Sequence, residues 1–244
     1  MESIRTRVLE SIDIEYVDGS SSSLIPQVSS DIHKATLSVM EYINFLCSNS
    51  SLIYQIVSNA VCLGKYVPQN RQVGPMHSMI MDMVSCLQEK LVKMSESFPD
   101  QGLRFLFLLN NLEFTRQSLL DNHFCYWLLY HKKGEGLPGK IEGYMENYLQ
   151  ACWEPVLSCL FSPTPLCFGI NHSPLLKFES EFKKTYATQK LWKVPDPKLR
   201  KRLRTAIAKK IVPRYTEYIE ENDITTPRVA PRDLEKMLQE LFEG

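Results

Sequence analysis

Residues 191–215 read LWKVPDPKLRKRLRTAIAKKIVPRY, and this stretch decides the fold class. Asp196 is a good N-cap residue and Pro197 a good first helical residue, so a helix is predicted to begin here. Its apolar residues recur at every fourth position and therefore share one face: Leu199, Leu203, Ile207 and Ile211. Pro213 lies late in this helix and predicts a bend, because a proline in an exposed helix interior costs up to about 3 kcal/mol.

The same helical periodicity continues on both sides of this stretch. Asp31 is predicted to cap a helix whose inner face carries Ala35, Val39, Ile43 and Leu46. Apolar residues at three- and four-residue steps predict further helices at about 52–63, 75–98, 101–120, 140–161, 174–192 and from 231 onward.

Glycine and proline mark several helix ends. Gly64 is placed to stop the helix at 52–63, and Pro155 predicts a kink within the helix at 140–161. Pro231 opens the last helix, whose inner face consists of Leu234, Leu238 and Leu241. Convincing period-two segments are absent. The sequence therefore predicts an all-α chain of seven to nine helices, joined by loops short enough for antiparallel stacking.

Two segments are distinguished along the chain. Residues 1–30 are predicted to hold an amphipathic helix, at about 4–14, and a flexible Ser-rich linker at 19–23. Residues 31–244 form the predicted helical body.

Composition is that of an ordinary globular protein. The chain has 244 residues, of which 44% are hydrophobic and 23% charged, and its formal net charge is zero. The first fifteen residues lack the apolar core of a secretory signal, and no run of 18 apolar residues predicts a membrane span. An odd number of widely spaced cysteines predicts reduced, packed thiols in a cytosolic protein: Cys47, Cys62, Cys86, Cys125, Cys152, Cys159 and Cys167.

Motifs that carry chemistry are missing from the sequence. The five histidines form no metal-ligand spacing, and no nucleophile elbow or Walker loop occurs. Residues 134–139 match G-x-G-x-x-G letter by letter, but they follow a helix rather than a strand and contain Pro138. We therefore expect no enzyme activity, no metal and no cofactor.

One charge feature stands out. Eight basic residues lie between positions 198 and 214 with no acid among them: Lys198, Arg200, Lys201, Arg202, Arg204, Lys209, Lys210 and Arg214. Two interpretations stay open. The basic face is either a solvated face, partly neutralised by Glu217, Glu220, Glu221 or neighbouring helices, or a surface for an anionic membrane or an acidic partner. Nucleic acid is disfavoured, because no aromatic residue interleaves the basic ones and the net charge is zero.

The stretch at 191–215, with its tryptophan, Val-Pro-Asp turn, paired Leu-Arg steps and Pro-x-Tyr close, resembles the signature of the seventy-kilodalton exocyst subunit family. Residues 33–43, 105–112, 144–157 and 178–189 are similar to further helices of that family, in the same order. The end of the chain, from Pro231 to Gly244, resembles the plant-type C-terminus.

This resemblance implies a rod of stacked antiparallel helical bundles in a cytosolic protein that is recruited to the plasma membrane, where the complex tethers vesicles for exocytosis. It implies as partners other exocyst subunits, Rho-type GTPases and, in plants, membrane-anchored immune regulators or pathogen effectors. The family's N-terminal coiled segment has no counterpart in residues 1–30. We therefore expect a truncated, diverged member that works as a docking module, with a possible role in plant immunity.

The alternative is a peripheral membrane module that binds phosphatidylinositol bisphosphate through its basic C-terminal helices. The candidate surface for an anionic lipid or acidic partner consists of Lys198, Lys201, Arg202, Lys209, Lys210, Arg214, Arg228 and Arg232. Only Arg228 and Arg232 remain near the final helix, where the family's lipid-binding lysines lie. At about 1 kcal/mol per basic residue near an anionic surface, two charges predict weak membrane binding.

Overall fold

The computed structural model describes residues 30–126, 136–161 and 173–244. These residues fall into two compact units, and each unit contains part of the helix at Gln101–Leu120. Of the described residues, the first unit holds 32–97, 111–126 and 136–141, and the second holds 30–31, 98–110, 142–161 and 173–244. The helix and linker expected within residues 1–30 lie outside the described residues.

The first unit is built on α1 (Lys34–Ser48), α2 (Ser50–Cys62), α3 (Pro75–Ser95) and the second half of α4 (Gln101–Leu120). Helices α1 and α3 both pack against α2 and against each other. The predicted inner face of α1 is buried throughout: Ala35, Val39, Ile43 and Leu46. The corresponding face of α3 is buried as well: Met76, Ile80, Met83, Leu87 and Leu91. Apolar periodicity thus predicted the core of this unit.

The predicted cap of α1 was wrong. His33, not Asp31, occupies the N-cap position, and its Nδ1 accepts a hydrogen bond from the backbone N–H of Ala35 at 3.1 Å. The Asn111 side chain also binds this helix start, because its Oδ1 accepts from the backbone N–H of His33 at 2.8 Å. Asp31 instead lies 3.4 Å from the Lys193 ammonium group. The helix start is therefore set by a tertiary contact that local propensity does not contain.

Two predicted helix ends in the first unit are confirmed. Gly64 adopts a positive φ of 65° just after α2, a conformation that costs glycine little because it has no Cβ. Pro75 is the first residue of α3, where its missing N–H removes no helical hydrogen bond.

The second unit contains the first half of α4, most of α5 (Leu137–Cys152), and α6 (Glu154–Phe161), α7 (Pro174–Lys190), α8 (Pro197–Glu221) and α9 (Pro231–Leu238). The single kinked helix predicted at 140–161 is divided into α5 and α6 at Trp153. Pro155 accounts for the break, because it has no N–H to bond the Ala151 carbonyl and continue α5, and its ring would crowd that carbonyl, whereas it is tolerated in the first turn of α6.

The start and the apolar face of α8 match their predictions, whereas the bend expected at Pro213 stays a prediction. The Asp196 carboxylate accepts a hydrogen bond from the Leu199 backbone N–H at 2.6 Å, and Pro197 is the first helical residue. All four residues of the predicted apolar stripe are fully buried: Leu199, Leu203, Ile207 and Ile211. The helix continues past Pro213 to Glu221. Tyr215 is buried two residues later and donates a hydrogen bond to the Val229 carbonyl at 2.8 Å, which offsets part of the proline's cost.

A buried polar chain joins three parts of the second unit. The Trp153 indole N–H donates to the Tyr148 hydroxyl at 3.1 Å, and that hydroxyl donates to Oε1 of Gln189. Tyr148 and Trp153 are fully buried. Burial raises the pKa of Tyr148 well above its ordinary value, so the phenol is neutral and available as the donor. These bonds fix the end of α7 against α5 and the break before α6.

The all-α class is confirmed. The described residues form nine helices and no strand, apart from an isolated bridge between Lys193 and Glu243. Helix α6 packs against α7 and α8, and α9 packs against α8.

Candidate docking surfaces

Two arginines of the basic run hold the C-terminal segment of the chain. Arg200 and Arg204 each lie 2.6 Å from a different carboxylate oxygen of Glu243, and Arg204 also donates to the Leu241 carbonyl. Hydrogen bonds from Arg204, and to a lesser extent from Arg200, lower the pKa of the Glu243 carboxyl. Phe242 lies between these contacts, fully buried and at a positive φ of 66°. Arg200 and Arg204 thus have a structural role.

Three residues of the candidate surface are paired with acids. Arg202 contacts Glu142, Lys210 lies 2.7 Å from Glu154, and Arg214 lies 3.2 Å from Glu217. Solvent-accessible pairs of this kind contribute about 0.2–1 kcal/mol to stability, and each acid cancels the positive charge that its basic partner would present to an anionic ligand. The sequence interpretation of a partly neutralised basic face therefore describes this part of α8, with Glu142 and Glu154 supplied by neighbouring helices and Glu217 by α8 itself.

Three lysines of the candidate surface keep their charge. Lys198, Lys201 and Lys209 are exposed and have no acidic partner among the described residues. At about 100° of rotation per residue, their Cα atoms lie within about 80° of one another around α8, so they share one face. We call these three residues the lysine face.

Arg228 and Arg232, the remaining candidates, lie outside α8. Arg228 is in the segment that precedes α9, and Arg232 is in the first turn of α9. Both are exposed, and neither forms an ion pair within the part of the chain that the structure describes. No described contact joins them to the lysine face.

A second surface, on α1 and α2, was not predicted from the sequence. Seven large apolar residues of α1, α2 and the position just after α2 are each more than 40% exposed, and we call them the apolar surface: Leu37 (44%), Tyr42 (52%), Phe45 (58%), Leu52 (58%), Tyr54 (48%), Ile56 (54%) and Leu63 (68%). In α2, whose residues are all described, Val57 is the only one buried. A helix this apolar is ordinarily buried on at least one broad face, so its exposure makes it a candidate docking surface.

The apolar surface carries almost no charge. Lys34 and Glu41 are the charged residues of α1, and α2 has none. The polar residues of these two helices are mainly serine and asparagine. Because these helices have few charged groups to desolvate, covering them with a partner costs little free energy. Depletion of charged residues is also typical of the core of a protein interface. The sequence signal was the α2 segment SSLIYQIVSNAVC, whose apolar residues point in several directions around the helix.

Among the described residues, no three His, Cys, Asp or Glu side chains cluster in a way that could hold a metal ion. No described helix is both long and apolar enough to cross a lipid bilayer.

The described residues thus define an all-α helical-bundle protein whose exposed features are an apolar surface and a lysine face. A family model for the C-terminal region of the Exo70 subunit of the exocyst complex matches residues 9–240. The chain therefore belongs to the Exo70 family of exocyst subunits, and corresponds to the C-terminal region of that family.

Individual relatives of the chain are exocyst subunits of the same family. The chain is 25% identical over 227 residues to the exocyst complex component EXO70B2 of Arabidopsis thaliana, covering 87% of this chain and 36% of the relative. It is 22% identical over 261 residues to EXO70C1 of the same organism, covering 95% of this chain and 40% of the relative. It thus spans well under half the length of these curated relatives.

Solved structures show the same fold. The yeast Exo70 structure from S. cerevisiae superposes with a TM-score of 0.61 at 17% identity, covering 98% of this chain and 51% of the yeast chain. A second structure, described as exocyst subunit Exo70p and the Exo84p C-terminal domains, which "reveal a common motif", superposes with a TM-score of 0.59 at 18% identity. It covers 98% of this chain and 52% of that one.

Proposed function

We propose that this protein is a non-enzymatic, exocyst-type adaptor in exocytosis, which acts by docking to other proteins during vesicle tethering at the plasma membrane. Membership of the Exo70 family supports the process. The observation that supports docking is the apolar surface of α1 and α2, because its aromatic and aliphatic side chains are of the type that anchors protein interfaces.

The partner we propose is a helical region of another exocyst subunit. A neutral, apolar helix such as α2 suits a partner helix with its own apolar face rather than an acidic or basic peptide.

A co-precipitation with purified exocyst subunits tests this proposal. The Phe45→Ser/Ile56→Ser double variant removes two exposed anchors and should reduce recovery of the partner at least tenfold, which corresponds to about 1.4 kcal/mol. The matched control is Lys201→Glu/Lys209→Glu, which changes the lysine face and should leave recovery intact. Equal recovery with the wild type and the serine variant would refute docking through the apolar surface.

The second candidate is a peripheral membrane module, and the lysine face favours it. Three exposed, unneutralised lysines on one side of α8 would contribute about 1 kcal/mol each near an anionic membrane, which gives weak, salt-sensitive binding. Arg228 and Arg232 would add to it only if the membrane reached them as well.

Liposome co-sedimentation distinguishes the two candidates. Binding to vesicles that contain phosphatidylinositol bisphosphate, lost in a Lys198→Glu/Lys201→Glu/Lys209→Glu variant, would support the membrane module. The adaptor function predicts no sedimentation above the background without vesicles, for the wild type and the variant alike.

The cellular setting is part of the proposal. We infer a cytoplasmic protein that is peripheral at the plasma membrane. Rho-type GTPases, membrane-anchored immune regulators and pathogen effectors are further candidate partners for a diverged plant-type member with a role in immunity.

A further inference from the structure

Two buried thiols of the first unit lie in direct contact. The Sγ atoms of Cys47 and Cys125 are 3.1 Å apart, and the two side chains are buried, at 8% and 0% exposure. Cys47 is near the end of α1, and Cys125 follows α4 in the sequence. The same two segments meet a second time, where the Asn122 side chain donates to Oδ1 of Asn44 at 3.4 Å.

The contact is close to that of a disulfide. A disulfide bond measures about 2.05 Å, so the two sulfurs need to approach by only about 1 Å. Segments already joined by a hydrogen bond can make this movement with small side-chain rotations rather than by rearrangement of the helices. Both cysteines are free thiols in the structure.

We propose that Cys47 and Cys125 are an oxidation site, at which a hydroperoxide oxidant converts the two thiols into one intramolecular disulfide. The bond would join α1 to the segment that follows α4 and would close a loop of 78 residues in sequence separation.

The chemistry proceeds in two balanced steps. The Cys47 thiolate attacks one oxygen of hydrogen peroxide, the O–O bond breaks, and the products are a sulfenic acid and, after proton transfer, water. The Cys125 sulfur then attacks the sulfenic sulfur, the S–O bond breaks, and the hydroxyl leaves as a second water with the Cys125 proton. Two thiols and one peroxide thus give one disulfide and two waters.

The environment of the pair favours Cys47 as the sulfur that reacts first. The hydrogen bond from the Cys125 thiol stabilises the Cys47 thiolate and lowers the pKa of Cys47. The same interaction, together with burial, raises the pKa of Cys125, which keeps its proton until the second step. Burial also limits the reaction to small oxidants such as hydrogen peroxide.

Peptide mapping tests the site directly. Trypsin places Cys47 in the peptide 35–65 and Cys125 in the peptide 117–132. Because Cys62 shares the first peptide and is exposed, the experiment uses the Cys62→Ser variant, in which only Cys47 remains to be linked there. The folded protein is treated with hydrogen peroxide, free thiols are blocked with iodoacetamide under denaturing conditions, and the digest is analysed without reduction.

The expected product is a monomeric protein in which the two peptides are joined, with a mass lower by two hydrogens, and in which reduction separates them. Its melting temperature should rise by roughly 5–15 °C over the reduced protein, since the bond restricts the unfolded chain. A Cys62→Ser/Cys125→Ser control should show neither the joined peptides nor the rise. Recovery of both peptides with their cysteines blocked by iodoacetamide, or with Cys47 oxidised only to a sulfinic acid, would overturn the proposal.

Discussion

A single methyl group at Gly102 should disrupt the packing of the second unit. Gly102 is buried near the start of α4, and a Cβ atom added there would lie 2.2 Å from Sγ of Cys152 and 3.0 Å from the Trp192 ring. Ordinary contacts between such atoms are about 3.5–4 Å, so Gly102→Ala forces an overlap of more than about 1 Å. Oδ1 of Asp100 lies 3.2 Å from the added Cβ, so the methyl group has no room on that side either.

The magnitude follows from two opposing effects. Overpacking of a well-filled interior costs about 1–3 kcal/mol, whereas replacing a helical glycine by alanine gains up to about 1 kcal/mol. We therefore expect Gly102→Ala to lower the free energy of unfolding by about 1–2 kcal/mol, and the melting temperature by roughly 2–8 °C. The control is Gly143→Ala in α5, where an added Cβ meets nothing within 4 Å and should stabilise the protein by about 0.5–1 kcal/mol.

Urea unfolding followed by circular dichroism measures both variants. A third variant, Cys152→Ala, removes the sulfur that the new methyl group would strike. In that background Gly102→Ala should cost clearly less than in the wild type, although the Trp192 contact remains. Equal stability changes at Gly102 and Gly143, or an undiminished cost in the Cys152→Ala background, would refute this description of the packing.

Three further predictions concern helix ends and titrating groups. Ala230 provides no side-chain cap for α9, so Ala230→Ser should raise the free energy of unfolding by about 1 kcal/mol; an unchanged or lower melting temperature would contradict the missing cap. Burial, followed by the charges of two nearby lysines, lowers the pKa of His33 below its unfolded value of about 6.5. Stability from the neutral His33 cap should be fully present above that pH and lost as the pH falls through the folded pKa, a dependence that His33→Asn should reduce in urea unfolding at pH 5–7. Since Arg204 lowers the pKa of Glu243, the C-terminal contact should persist above the unfolded pKa of about 4.3 and weaken as the pH falls through the folded value; Glu243→Gln should remove this dependence in hydrogen exchange of residues 238–244.

A helix was predictable where all the residues that determine its ends and its buried face lie in one short stretch of sequence. The cap, the first proline and the buried stripe of α8 all lie within residues 196–211, and each has the predicted place. Helix α4 was predicted at the same bounds, because its apolar run and the preceding Phe98-Pro99-Asp100 stop are equally local. The start of α1 was missed because Asn111, 78 residues away, holds the backbone of His33.

The sequence predicted which basic residues the candidate surface contains, but not which of them are left accessible to a ligand. The basic run of α8 is visible in the sequence, yet the acids that pair with it are 39 to 60 residues away in the cases of Glu243 and Glu142. Such pairings depend on how helices pack, and no local pattern predicts them. The apolar surface was missed for a related reason. Residues such as Phe45 and Ile56 look like core residues until the packing shows that no described helix covers them.

Hydrogen exchange in the presence of purified exocyst subunits tests the docking proposal most directly. Amides of residues 34–63 should exchange measurably more slowly when the partner is added, while those of the lysine face, at 198–209, should keep their rate. The proposal would be contradicted if exchange at 34–63 did not change on addition of the partner, or if the slowing were confined to 198–209.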